Sequence, residues 1–232
     1  MIHAVLYDLD GVIVDSQTAV VEALREVAGI ALGILPPPEQ VRRLAYLPPV
    51  QALTELGVAD ASRVFDAHFD TAYAAHARKS RLVPGMTAAM WRIRMAGRRQ
   101  AIVTLQRRRR VNLLPLGEVH DLVDTIVCFE DATPKPAPDP LWLALDRLHI
   151  PPGHACFIGD TASDIQAGKA AGVPVYGAVW GYRDAAALAD AGTDGLLSQP
   201  ADIVSLVLAE RPVTVGYDSS AISMTVRSGS CP

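Results

Sequence analysis

The chain has 232 residues, 50% of them apolar and 20% charged, with a formal net charge of −4 at pH 7 and a sequence pI near 5.8. That is the composition of a soluble globular protein with one substantial core or two modest ones, and it excludes a generally basic nucleic-acid or membrane-surface binder. No apolar run reaches a bilayer span, and no basic segment followed by a signal-like core opens the chain, so a cytoplasmic protein is expected. Cys128 and Cys156 sit in apolar runs and Cys231 lies near the end. An odd count without zinc-type spacing reads as reduced packing thiols.

In chain order, Ile2 and Ala4 to Tyr7 form a short apolar run of the kind that fills a strand buried on both faces, and it stops at Asp8-Leu9-Asp10-Gly11. Asp15-Ser16 can cap a helix that carries Val20, Val21, Leu24, Val27, Ala28 and Ala31 at helical spacing up to Gly33. Pro36, Pro37 and Pro38 stop it. Further helical patterns cover Val41 to Tyr46, Val50 to Leu56, and a longer stretch with Val64, Phe65, Phe69, Ala72, Tyr73 and Ala75 on one face. No strand is evident between Ser16 and Arg81, so residues 16–81 read as an inserted all-helical domain.

Strand and helix alternate again afterwards. Helices are expected over Met86 to Ala96, from the arginine run at 107–110, and over Asp139 to His149, Ala162 to Ala171, Asp184 to Ala191 and Ala201 to Glu210. Strands are expected over Gln100 to Thr104, Asp124 to Phe129, Ala155 to Ile158, Val173 to Ala178 and Gly195 to Leu197. The fold class is therefore α/β, a doubly wound, Rossmann-like parallel sheet over 1–15 and 82–210 with the helical insertion between. Residues 211–232 read as a tail, disordered or loosely appended.

Polar groups gather where the strands end. Asp8 and Asp10 follow the first, Thr104 the second, and Asp160 a later one, with Asp164 one helical turn on and facing back to the same strand end. Lys135, one of only three lysines, lies in P-K-P-A-P-D between two prolines that hold an extended path. Ligands of open parallel sheets bind outside the carboxyl ends of strands. Acids clustered there repel one another unless a cation sits among them, and magnesium, held by oxygen ligands beside one lysine, fits. Each residue also has an ordinary reading: Asp-x-Asp-Gly as a turn, Thr104 as a strand end, Lys135 on a solvated loop, Asp160 as a helix cap.

Taken together, D-L-D-G-V at 8–12, I-V-T at 102–104, K-P-A-P-D at 135–139 and G-D-T-A-S-D at 159–164 resemble the four ordered motifs of the haloacid dehalogenase superfamily. The likeness spans residues 1–210, and the insertion resembles that family's C1 cap in its phosphoglycolate phosphatase and β-phosphoglucomutase branch. The resemblance implies Asp8 as nucleophile, Asp10 as general acid and base, and Thr104 and Lys135 as phosphoryl-binding groups. It implies magnesium held by the Asp8 side chain, the Asp10 carbonyl and Asp160, with Asp164 supporting the metal site or Lys135. Because Asp10 is an acid two residues after the nucleophile, phosphate chemistry is implied over dehalogenation, whose halide needs no proton.

This chain departs from the pattern in places. Leu105 and Gln106 stand where relatives carry asparagine or serine and then lysine, with Arg107 to Arg110 next; these arginines read as a solvated face or as one or two contacts to an anionic substrate. V-R-R-L-A-Y-L-P at 41–48 aligns with a cap specificity loop, but Tyr46 stands near the usual glycine, which disfavours phosphoglycolate itself. Arg42, Arg43 and Tyr46 from the cap, with Thr104, Leu105 and Lys135, make up the expected substrate-binding set, and Asp8, Asp10, Asp160 and Asp164 the metal-binding set. The expected activity is hydrolysis of a small phosphorylated metabolite by a monomer or homodimer, with neither nucleic acid nor membrane as partner. The rivals are a β-phosphoglucomutase-type phosphotransferase and a catalytically idle binding protein. Trp180-Gly181-Tyr182 reads as packing and loop geometry.

Overall fold

The computed structural model describes residues 1–45, 47–181 and 185–209. Strand β1 (Ala4–Tyr7) is buried throughout and its side chains alternate between two cores. Val5 and Tyr7 enter one, Ala4 and Leu6 the other, as a central strand covered on both faces requires. The chain then runs through β2 (Val14–Asp15), α1 (Gln17–Leu32), α2 (Pro38–Arg42), α3 (Pro49–Glu55), α4 (Ala61–His76), β3 (Arg81–Leu82), α5 (Met86–Met95), β4 (Arg99–Val103), α6 (Arg108–Val111) and α7 (Val119–Leu122). It continues through β5 (Thr125–Val127), α8 (Asp139–Leu148), β6 (Ala155–Gly159), α9 (Ala162–Ala171), β7 (Val175–Ala178), α10 (Ala185–Asp190), β8 (Gly195–Leu197) and α11 (Pro200–Leu208).

Six strands form one parallel sheet in the order β5-β4-β1-β6-β7-β8. The winding reverses at β1, whose Tyr7 faces Ile102 of β4 on one side and Ile158 of β6 on the other. The carboxyl ends of β1, β4 and β6, where Asp8, Thr104 and Asp160 follow, are therefore where an open parallel sheet gathers its ligands. Buried Gln100 of β4 is satisfied rather than orphaned: it accepts from the Tyr7 hydroxyl at 2.8 Å and donates to the carbonyls of Met90 and Leu122 at 3.0 Å.

Helices α1 to α4 form the helical cap. α1, which buries Val21, Leu24 and Val27, packs along α4, while Phe65, Phe69 and Tyr73 of α4 stack at four-residue spacing, with ring centroids 4.6 and 5.9 Å apart. The cap leaves and rejoins the core through a two-stranded antiparallel pair, Val14 opposite Leu82 and Asp15 opposite Arg81.

Several local expectations change. The strand expected to reach Phe129 stops at Val127, because the Cys128 N–H is taken by the Asp131 carboxylate at 2.9 Å and a short 3-10 turn follows. The Val173 N–H closes α9 on Gly168 O, so β7 begins two residues later than expected. The helix placed at Val41 to Tyr46 is α2, ending at Arg42, and the arginine run makes one helical turn only. Ser16 is the N-cap of α1 by position, yet its hydroxyl makes no capping bond. Tyr46, Tyr182, Glu210 and the expected tail at 211–232 lie outside the described residues.

Candidate active site

Asp8 leaves β1 with its N–H bonded to Ile158 O at 2.8 Å, which fixes the carboxylate between the ends of β4 and β6. Lys135 arrives from its proline-flanked loop and is almost fully buried. Its Nζ donates to Asp8 Oδ1 at 2.7 Å, Asp164 Oδ1 at 2.6 Å and the Val103 carbonyl at 3.1 Å. Asp164 is locked from its other side, since Oδ2 accepts from the Thr161 N–H at 3.0 Å and hydroxyl at 2.6 Å in a capping box at the start of α9. Asp160 is fully buried beside them, and oxygens of Asp8, Asp160 and Asp164 lie within 4.8 Å of one another. Glycines make the approach possible: a Cβ on Gly11 would sit 2.1 Å from Asp160 Oδ2, and one on Gly181 2.4 Å from Asp160 Cβ. Gly181 of the Trp-Gly-Tyr stretch is thus packed against a site residue, and Trp180 holds the loop by donating to Val12 O at 3.1 Å.

Three buried carboxylates against one ammonium leave excess negative charge, and the donors are all hard oxygens. This set fits a divalent cation of the magnesium type. Burial pushes the Asp8 carboxyl up to about 7, Lys135 opposes this, and Asp164 and Asp10 add to it. Burial works against the Lys135 ammonium, but Asp164 and Asp8 outweigh it and raise its pKa.

Asp10 stands apart from this cluster. Its Oδ1 accepts from the Ser16 hydroxyl and from Gln106 Nε2, the latter at 3.2 Å. Burial raises its pKa and those two donors pull it back. Its side chain is therefore engaged elsewhere than with the three clustered acids. Thr104, 3% exposed, accepts from the Gln106 N–H at 3.0 Å, which leaves its hydroxyl hydrogen free to donate.

The profile of the haloacid dehalogenase-like hydrolases matches residues 5–178. The chain belongs to that family. Among its relatives, the plasmid-encoded phosphoglycolate phosphatase of Cupriavidus necator is 31% identical over 90% of this chain and 94% of its own. A pyrophosphatase of Bacillus velezensis is 35% identical over 49% of this chain and 54% of its own. Among solved structures, a provisionally assigned phosphoglycolate phosphatase from Lactobacillus plantarum superposes with a TM-score of 0.78 at 32% identity, covering 89% of this chain and 99% of its own. The protein is thus an enzyme of the haloacid dehalogenase-like class, with a parallel sheet and a helical insertion.

Other expected residues fall elsewhere. Arg42 is exposed and pairs with Glu39 on its own turn at 2.5 Å, Arg43 is exposed beside it, and Leu105 is 44% exposed. The contacts of Arg42 are local rather than with the acids. The arginine run divides: Arg107 pairs with Asp66 of α4 at 3.6 Å and Arg109 pairs with Asp70, both keeping solvent exposure, while buried Arg110 lies 2.7 Å from Asp70 with its guanidinium over Phe69 at 5.2 Å. Arg108 turns instead to Asp131 of the core at 2.5 Å. The run thus joins core to cap. Burial and the neighbouring Arg107 lower the Arg110 pKa to about 10. Gln106 and Tyr73 were invisible as site residues because their contacts bridge distant segments, and Ser16 because it reads as a helix cap; the only signal was the amide at Gln106 in place of the usual residue.

Proposed function

We propose that this protein is a magnesium-dependent phosphatase that hydrolyses a small phosphomonoester through an aspartyl phosphate on Asp8. The observation that carries the reading is the buried Asp8 carboxylate, held by Lys135 on one side and flanked by Asp160 and Asp164, with a second acid, Asp10, tethered separately two residues on. Asp8 attacks phosphorus in line and the bond to the leaving oxygen breaks as Asp10 donates its proton to that oxygen. Water then attacks the aspartyl phosphate, Asp10 takes up its proton, and the phosphorus–Asp8 bond breaks to release phosphate. Lys135 and the Thr104 hydroxyl orient the phosphoryl oxygens and offset their charge. Magnesium, held by Asp8, Asp160 and the Asp10 carbonyl, would supply further neutralisation of the transferring group; Asp164 serves it indirectly, because both its oxygens already hold Lys135 and Thr161.

Asp8, Thr104, Lys135 and Asp160 are all buried, so substrate reaches them when the cap, residues 16–81, lifts from the core domain, 1–15 and 82–210, and water is excluded when it returns. In this reading the enzyme works in the cytoplasm, as a monomer or homodimer, on a soluble metabolite. Among the described residues no helix is long and apolar enough to cross a membrane. The relatives' names put phosphoglycolate and pyrophosphate at the head of the substrate panel, followed by sugar phosphates, nucleotides and amino-alcohol phosphates.

The test is phosphate release from that panel with magnesium and with chelator, for the wild type and Asp8→Asn. Metal-dependent release that vanishes in the folded variant is expected, and near-normal hydrolysis by Asp8→Asn would sink the nucleophile assignment. A long-lived phosphoenzyme activated by a sugar bisphosphate would move the reading to a phosphotransferase.

A further inference from the structure

Gln106 occupies an unusual place. It is 7% exposed, and four of its polar contacts tie three parts of the protein together. Its backbone N–H donates to Thr104 Oγ1 at 3.0 Å and its carbonyl accepts from the Phe129 N–H at 3.0 Å, so the loop after β4 is pinned at both ends of this residue. Its side-chain Nε2 divides its two hydrogens between Asp10 Oδ1 at 3.2 Å and the Tyr73 hydroxyl of α4 at 3.3 Å. Its Oε1 is buried and has no hydrogen-bond partner among the described residues. An amide held by its nitrogen in this way costs one unsatisfied acceptor, so the nitrogen contacts specify its orientation.

The consequence lies on Asp10. Both side-chain donors, Ser16 Oγ and Gln106 Nε2, converge on Oδ1. A carboxyl oxygen that accepts two hydrogen bonds is the poorer site for a proton, so the acid hydrogen of a protonated Asp10 resides on Oδ2. Ser16 alone, with a rotatable hydroxyl, leaves the plane of the carboxyl loosely set. Gln106 sets it, because Tyr73 and the fixed loop hold its amide in place. We propose that Gln106 is a positioning residue for proton transfer: anchored by Tyr73 of the cap, its amide fixes Asp10 Oδ1 as acceptor and so presents Oδ2 as the oxygen that hands the proton to the leaving group. This rests on the phosphatase reading above and adds to it a residue outside the motifs. In the transfer the Oδ2–H bond breaks, an O–H bond forms on the departing oxygen, and the oxygen–phosphorus electron pair goes to that oxygen; Gln106 loses and gains nothing.

Leaving groups separate this role from a merely structural one. An alkyl phosphate needs its oxygen protonated on departure, whereas p-nitrophenolate leaves without help. Because kcat/KM covers events up to leaving-group departure, it is read for both esters in the wild type, Gln106→Leu and Tyr73→Phe. Gln106→Leu is expected to lower kcat/KM on the alkyl ester by about 10- to 100-fold and on p-nitrophenyl phosphate by no more than about threefold, a part of the whole contribution of general-acid assistance because Asp10 itself remains. Tyr73→Phe, which removes only the anchor, shifts the ratio the same way by less. Equal losses on both esters, or no loss, overturn the inference. Should the wild type release phosphate from neither ester, the phosphatase reading fails and this inference with it; turnover by the wild type with an unchanged ester ratio in both variants fells the inference alone.

Discussion

Lys135 and Asp164 meet at 2.6 Å across the site, and the same ammonium reaches Asp8 at 2.7 Å, so one side chain fastens the end of β1 to the first turn of α9. Removing it leaves two buried carboxylates facing each other and Asp160. Lys135→Met is therefore expected to abolish turnover and to destabilise the fold by about 3–5 kcal/mol, the usual cost of stranding a buried charge. Chemical denaturation in chelator measures it, and a loss under about 1 kcal/mol would show that the pair contributes little to the fold.

The raised Asp8 pKa, about 7 against an ordinary carboxylate near 4, couples stability to metal and pH. Between about pH 4 and pH 7 the folded protein without metal keeps a proton that the unfolded chain has released, so this group's stabilising contribution is full below that window and declines as pH rises through it. A divalent cation competes for the same carboxylate. Magnesium is expected to release protons on binding below about pH 7, and to raise the melting temperature more at about pH 8 than at about pH 5.5. Calorimetry in two buffers of different ionisation enthalpy checks the first, and a larger thermal shift at the acid pH would contradict the second.

Gly11 answers to both backbone and space. Its φ of +83° is left-handed, and a Cβ there would overlap the Asp160 carboxylate. Gly57 shares the backbone condition at φ +88° but has open space around it. Gly57→Ala is expected to cost about 1–2 kcal/mol from backbone strain alone and to leave magnesium affinity unchanged. Gly11→Ala pays the same strain and also displaces Asp160, so magnesium affinity falls at least about tenfold, the scale seen when a metal ligand's support is disturbed. Equal magnesium titrations for the two variants would show that Asp160 does not need this glycine.

The sheet was legible where strands are buried on both faces, because Ala4 to Tyr7, Ala101 to Val103 and Cys156 to Ile158 are unbroken apolar runs ending on polar residues. Asp8, Thr104 and Asp160 were legible for the same reason, since they follow those runs, whereas Lys135 stood out as one of three lysines in a proline-flanked loop. Two-residue strands such as Val14–Asp15 and Arg81–Leu82 have no period to detect, and their existence depends on each other across the whole cap. Tyr73 reads from sequence as one more apolar position on α4, and its hydroxyl contact with Gln106 exists only once cap and core are packed together. The arginine run was ambiguous because charge alone does not reveal that Asp66 and Asp70 would face it.

The pairing of Asp15 with Arg81 brings the cap's points of departure and return side by side. To the core, the whole insertion therefore costs the chain little more than a hairpin turn would, because loop-closure entropy depends on the distance between the ends and grows only slowly with the length between them. The residues that perform the chemistry and the residues that close over it are free to change at different rates. A lineage could replace the roof, and with it the choice of leaving group, without rebuilding the floor on which Asp8 stands.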